Sequence, residues 1–266
     1  MAEDIDRNVE TARGEGLPSA ACGLRPDSPV GFFDSGLGGL SILEAFKREC
    51  PNESTVYFAD SAHCPYGNRP PAEIVALSRA NTLRLISEYS AKMIVVACNT
   101  ATAAAIDTLR AEFPLVPFIG LEPAVKPAAL ESKTGVVGVL ATAGTFNGRL
   151  YNETKSRFAS EVTVIATVAD EFVTLVERGL VDGPEVECAV RRRIAPLIAA
   201  GADQIVLGCT HFPHLKKVIE KVAEGKAAVI DPSPAVARQA RRVLDLRHLN
   251  RLDPAPPRHV FLRGER

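Results

Sequence analysis

The sequence carries almost no net charge. Its 31 Lys and Arg face 32 Asp and Glu, leaving a formal −1 at pH 7. That balance excludes the overall basic character that draws a protein to nucleic acid or an anionic membrane. No apolar stretch approaches the length of a bilayer span. Residues 1–29 are polar and mixed in charge, without the basic start and long apolar segment of a secretory signal. Ala20-Ala21-Cys22-Gly23 is faintly like a lipoprotein cleavage box, but no apolar region precedes it. The six cysteines include no Cys-x-x-Cys pair. In a chain without an export signal they read as free thiols in a reducing cytoplasm, not as a disulfide framework. Zinc-like spacing occurs only among Cys209, His211 and His214, at one turn with no second half, so no metal is expected.

What is present is a chain of 266 residues with 46% hydrophobic content, enough for a sizeable core in one large domain or two small ones. Residues 1–28 and the stretch from Arg251 onward have no periodic apolar pattern and read as peripheral segments. Between them, apolar runs at 30–33, 55–59, 93–97, 118–121, 136–140, 162–166, 204–207 and 227–230 alternate with helical sequence. Continuous apolar runs separated by helices predict an α/β fold with mostly parallel sheets covered on both faces. Val186, Val190, Ile194 and Leu197 recur at helical spacing after Pro184, as in an ordinary packing helix. Its Arg191-Arg192-Arg193 run reads as a solvated face.

The chain repeats weakly. Val30-Gly31-Phe32-Phe33-Asp34-Ser35-Gly36 resembles Val137-Gly138-Val139-Leu140-Ala141-Thr142, with Gly144 following. Cys98 and Cys209 each end an apolar run and precede a small polar pair, Asn99-Thr100 and Thr210-His211. Two pseudo-symmetric α/β domains facing across a cleft would gather all four strand ends around one ligand. The expected limits are residues 29–121 with 231–250 for the first domain and 122–230 for the second. An extension, 1–28, and a tail, 251–266, flank them. Thiols at equivalent strand ends suit moving a proton off one face of a carbon and onto the other.

The loop residues support that reading. Asp34-Ser35-Gly36-Leu37-Gly38-Gly39-Leu40-Ser41 lacks both the third glycine of a dinucleotide fingerprint and a Walker lysine. Asp34 would repel a phosphate and suits an amino group, while a tight turn accounts for the glycines. In Asp60-Ser61-Ala62-His63-Cys64-Pro65-Tyr66-Gly67, Tyr66 and Gly67 are candidates to close over a substrate carboxylate. A helix start after Cys98 or Cys209 would favour the thiolate, and apolar surroundings would oppose it. Asn99, Thr100 and Thr210 can give donors to a carboxylate or simply cap helices. His211 could polarise the Cys209 thiol or relay a proton.

With these loops in hand, the chain resembles the glutamate racemases, cofactor-independent members of the aspartate/glutamate racemase superfamily. The resemblance rests on residues 33–41, Pro65-Tyr66-Gly67, Val96-Ala97-Cys98-Asn99-Thr100-Ala101, Glu122-Pro123-Ala124-Val125-Lys126-Pro127-Ala128, Leu140-Ala141-Thr142-Ala143-Gly144-Thr145 and Leu207-Gly208-Cys209-Thr210-His211-Phe212-Pro213, in the family's order. It implies interconversion of L- and D-glutamate without a cofactor, in the cytoplasm, for cell-wall peptidoglycan. Cys98 and Cys209 match the acid/base thiols, with Cys98 taking the proton of D-glutamate and Cys209 that of L-glutamate. Asp34 and His211 match groups that tune them. Asp34, Ser35, Tyr66, Gly67, Asn99, Thr100, Thr142, Thr210 and His211 are the implied substrate contacts. Glu177 is a counterpart for a carboxylate that assists the second cysteine. Some members are activated by UDP-N-acetylmuramoyl-L-alanine, and many are homodimers. The loop around Cys64 departs from the commoner form and adds a thiol near the site.

Three other readings stay open on the residues alone. One is a racemase for aspartate or another amino acid. Another is a thiol hydrolase with Cys209 as nucleophile and His211 as base. The third is a two-lobed amino-acid binding protein without catalysis.

Overall fold

The structure is a computed structural model and describes residues 24–158 and 162–265. Two parallel sheets organise it. The first contains β1 (Val30–Asp34), β2 (Thr55–Ala59), β3 (Met93–Val96), β4 (Phe118–Ile119) and β9 (His259–Arg263), in the order β4-β3-β1-β2-β9. The second contains β5 (Val136–Ala141), β6 (Thr163–Val168), β7 (Gln204–Leu207) and β8 (Ala228–Ile230), in the order β6-β5-β7-β8. All pairings are parallel. Without β9, the two sheets share one strand order when β5 is matched to β1 and β7 to β3, so the weak repeat is a repeat of topology.

Helices cover both faces of each sheet, and the alternation of strand side chains decides which face each residue joins. Phe32, Tyr57 and Val95 pack with Phe46 of α1 (Leu40–Glu49) and with Ala237 and Leu244 of a helix at Ser233–Leu246, labelled α10. Phe33, Val56 and Val96 point the other way. They meet Leu85 of α2 (Pro71–Tyr89) and Leu109 of α3 (Asn99–Glu112). In the second sheet, Val137 and Val139 pack with α4 (Val125–Glu131) and Tyr151. Leu140 and Leu207 pack with α7 (Asp170–Glu177), α8 (Pro184–Ala199) and α9 (Lys216–Ala223). Short helices α5 (Ala143–Phe146) and α6 (Arg149–Phe158) follow β5. The packing helix expected after Pro184 is α8, with Val186, Val190, Ile194 and Leu197 buried. No helix among the described residues is long and apolar enough to cross a membrane.

The tail from Arg251 differs from its expected peripheral character. Residues 259–263 add an edge strand beside β2, and Phe261 stacks on Tyr57 with ring centroids 5.6 Å apart. Its apolar run is only Val260-Phe261-Leu262, and these residues stay exposed or half-buried at the sheet edge. Of the extension, residues 1–23, with Cys22, lie outside the described residues. Residues 24–28 join the body. Asp27 Oδ1 accepts the N–H groups of Leu252 and Asp253, each at 2.9 Å, and the Pro26 carbonyl accepts from Lys92. Polar segments are held here by exposed Asp27 and buried Lys92 instead of an apolar stripe.

Candidate active site

In each sheet the chain runs from the first strand to a neighbour on one side, then crosses to the other side. The strand order therefore reverses between β1 and β3 and again between β5 and β7. Open α/β sheets bind ligands at the carboxyl ends of such strands, where diverging connections leave a crevice. Cys98 lies two residues beyond β3, and Cys209 two beyond β7. Both line one cavity of about 160 Å³. Ser35, Tyr66, Gly67, Asn99, Thr100, Thr142, Thr210 and His211 line it too. The structure thus gathers every candidate site residue but Asp34 and Glu177 around one space.

Asp34 is fully buried, but it does not line that cavity. Its Oδ2 accepts the N–H of Gly39 at 2.9 Å and that of Gly36 at 3.4 Å. That oxygen anchors its own loop, while Oδ1 is buried without a partner among the described residues. The loop glycines have a different cause from the expected turn. None of Gly36, Gly38 and Gly39 has a positive φ. A Cβ on Gly38 would sit 2.3 Å from His211 Nδ1, and one on Gly39 would sit 2.8 Å from the Ala97 carbonyl oxygen. Side chains of the second unit press against Gly36 and Gly38, and Ala97 and Tyr57 of the first unit press against Gly39. Ser41 Oγ donates to the Thr210 carbonyl at 3.2 Å, and His214 Nε2 meets the Gly38 carbonyl at 3.1 Å, tying the units together.

The two sulfurs have unlike surroundings. Cys98 is the N-cap of α3, and its Sγ accepts the Ala101 N–H at 3.4 Å. Its thiol also lies 3.9 Å from Ser35 Oγ. Burial pushes the Cys98 thiol pKa well above its ordinary value, and the nearby Asp34 charge adds to the shift. Together they outweigh the helix N–H, so Cys98 keeps its proton at neutral pH. Beyond Cys209 the chain forms a 3-10 turn, Phe212–Leu215, with Pro213 lacking an N–H to offer. Here the partner is a side chain. Cys209 Sγ lies 3.8 Å from His211 Nδ1, and His211 Nε2 lies 2.7 Å from Glu177 Oε1. Glu177 Oε1 also accepts the Leu37 N–H at 2.6 Å. Burial pulls the imidazole pKa down, but hydrogen bonds to Cys209 and Glu177 prevail and hold it at about 10. Burial likewise raises the Glu177 carboxyl, and the His211 and Leu37 bonds overcome it, leaving its pKa below the usual value. His211 is therefore a cation between a carboxylate and a sulfur.

The remaining lining residues offer polar groups. Both side-chain polar atoms of Asn99 are buried without a partner among the described residues, which is costly unless a ligand meets them. Thr100 Oγ1 and Thr142 Oγ1, from opposite units, are 2.9 Å apart, and Thr142 Oγ1 is 3.0 Å from Thr145 Oγ1. Tyr66 does not lay its hydroxyl over the cleft. It donates to Asp60 Oδ2 at 2.5 Å and accepts from Asn81 Nδ2 at 3.1 Å, which fixes the backbone of Tyr66 and Gly67 against the cavity.

A family model described as Asp/Glu/Hydantoin racemase matches residues 38–240. The chain belongs to this family. As an Asp/Glu/hydantoin racemase it is an isomerase, and its relatives are closely alike. The glutamate racemase of Herpetosiphon aurantiacus is 47% identical over 218 residues, covering 82% of this chain and 85% of that one. Among solved structures, the Francisella tularensis glutamate racemase in complex with D-glutamate superposes with a TM-score of 0.78 at 30% identity, covering 91% of this chain and 89% of that chain. The Escherichia coli glutamate racemase in complex with L-glutamate and the activator UDP-MurNAc-ala superposes with a TM-score of 0.75 at 35% identity, covering 82% and 83%. Within this racemase fold, Asp170, Glu171, Val173 and Thr174 also line the cavity, and none was singled out from the sequence. The signal was available. They follow β6, which matches β2 in the repeat, and the loop after β2 carries Tyr66 and Gly67.

Proposed function

We propose that this chain interconverts L- and D-glutamate by 1,1-proton transfer between Cys98 and Cys209, supplying D-glutamate for peptidoglycan in the cytoplasm. The observation that carries the reading is that two thiols from equivalent strand ends of opposite sheets line one small cavity. A thiol hydrolase would leave Cys98 unused, and a binding protein would leave both sulfurs unused.

The α-hydrogen of an amino acid is a very weak acid, so the site must stabilise a carbanion-like transition state with fixed dipoles. Ser35, Asn99, Thr100 and Thr210, all buried, can supply donors to the substrate carboxylate from the cavity walls. Proton transfer across the stereocentre needs one sulfur with a proton and one without. Cys98 holds its proton, while Cys209 faces the His211 cation. That asymmetry suits Cys209 taking the α-proton of L-glutamate while Cys98 delivers its own to the opposite face. The reverse direction starts from the exchanged state. Asp34 and His211 tune the nearer sulfur.

In heavy water, the purified enzyme should place deuterium at Cα of glutamate as the circular dichroism of L-glutamate decays to zero, and L-aspartate should decay far more slowly. Decay of aspartate alone would reassign the substrate. Deuterium uptake absent from both would end the reading. Activation by UDP-N-acetylmuramoyl-L-alanine and a homodimer rest on relatedness. A higher rate with the nucleotide, and a sedimentation mass of twice 28.4 kDa, are the expected results.

A further inference from the structure

We propose that Cys64, Glu177 and His211 form an inhibitory site for a borderline-soft divalent cation, zinc above all. Each offers one ligand atom, and the three atoms lie within 4.8 Å of one another. They converge from the loop after β2, the end of α7 and the loop after β7. Sulfur, imidazole nitrogen and carboxylate oxygen together form a donor set of the kind zinc takes, and calcium or magnesium would not choose the sulfur. Cys209 is outside the cluster, its Sγ 3.8 Å from His211 Nδ1. His214, which the sequence spacing grouped with Cys209 and His211, is outside the cluster and turned to the Gly38 carbonyl.

Cys64 does not line the cavity that holds Cys98 and Cys209. Cys64 packs against the apolar cluster of the second unit, as a small filler would, but its sulfur also lies within 4.8 Å of ligand atoms of Glu177 and His211. Binding is a ligand exchange without redox change. The aqueous cation gives up waters, the Cys64 thiol and the His211 imidazolium each release a proton to solvent, and Glu177 binds as the carboxylate it already is. The ion then holds His211 away from its paired role with Cys209 and Glu177, and turnover stops. The cation is an inhibitor and takes no part in racemisation.

The test uses the intact protein with zinc and, as a spectroscopic probe, cobalt(II). Zinc should inhibit the unsubstituted enzyme, and EDTA should restore it. Cobalt should give thiolate-to-metal charge-transfer and tetrahedral visible bands. Cys64→Ser should keep basal activity, lose the cobalt bands and need more zinc by at least the roughly 10- to 100-fold that even outer-shell changes cost. Cys98→Ser should keep the bands. Equal zinc sensitivity in Cys64→Ser would overturn the proposal. So would cobalt bands that survive Cys64→Ser but vanish in Cys98→Ser, because the catalytic thiols would then hold the ion. Absence of both inhibition and bands would also overturn it. The cobalt spectrum is independent of the substrate, so it separates failure of this site from failure of the glutamate reading.

Discussion

A β-carbon added to Gly36 would stand 2.1 Å from Glu177 Oε1. The glycine of the first unit and the carboxylate of the second are therefore built for each other. Glu177 reaches the Leu37 N–H and His211 Nε2 from the same oxygen, so a displaced carboxylate loses both. Gly36→Ala should lower kcat by about 10²-fold, the loss typical of a misplacement near 1 Å in catalytic geometry. Far-UV circular dichroism should stay unchanged. A full wild-type kcat in this variant would mean that Glu177 has no part in turnover.

Titration of the same pair sets the pH behaviour. His211 has its pKa raised from 6.5 to about 10 on folding. Its contribution to stability is fully present below about 6.5 and is lost as pH rises through about 10. Glu177 is shifted the other way. Its contribution is present above its ordinary 4.5 and is lost as pH falls through the lower folded value. Glu177→Gln weakens one of the two hydrogen-bond partners, after Cys209, that hold up the imidazole. The alkaline limb of kcat/KM should then move from near 10 toward neutral, with a smaller change in KM. A limb that stays in place would show that Glu177 does not act through His211.

Removal of one sulfur should leave a one-sided catalyst. Cys98→Ala and Cys209→Ala should each lose racemisation by the 10²- to 10⁴-fold typical of a missing acid or base, or more. In heavy water Cys98→Ala should label L-glutamate alone, and Cys209→Ala D-glutamate alone, because the surviving thiol addresses one face. Mass spectrometry of the separated enantiomers distinguishes this from simple inactivation. Racemisation that persists in either variant would defeat a two-base mechanism.

Much of this site was legible in the residues because buried parallel strands announce themselves. Val30, Phe32 and Phe33 before Asp34, or Ile94, Val95 and Val96 before Cys98, have no polar neighbour to confuse the pattern, and strand ends locate the loops. Glu177 was harder to place, because its role depends on a partner 34 residues away, beyond a helix and a strand. The loop glycines misled for a related reason. A glycine kept for backbone torsion and one kept for a close neighbour look alike in sequence, and only Glu177 and His211 in space separate them. Asp34 had the same ambiguity, since one of its oxygens ties its own loop while the other is buried without a partner among the described residues. The tail strand beside β2 was passed over because its apolar run, Val260-Phe261-Leu262, is only three residues long and follows a Pro-rich polar stretch.

The two ends of the described chain meet at one buried ion pair. Lys92 is fully buried, with Nζ 2.6 Å from Glu53 Oε2. It also donates to the Pro26 carbonyl, and Glu53 Oε1 accepts the Arg251 N–H at 2.8 Å. Burial pulls the Lys92 pKa down, and Glu53 opposes that shift. Glu53→Ala should cost about 3–5 kcal/mol of unfolding free energy, because it strands an ammonium in the interior. That is a large part of the total for a domain, so the variant should melt well below the parent. The deficit should narrow as pH rises toward 10, where the stranded Lys92 sheds its proton in the folded state before it would in the unfolded chain. Lys92→Met combined with Glu53→Met should cost less than Glu53→Ala alone, since no unpaired charge remains. Denaturant melts of the three proteins at pH 7 and pH 9.5 decide it. A loss in Glu53→Ala below about 1 kcal/mol, within the range of an exposed pair, would mean that water reaches Lys92.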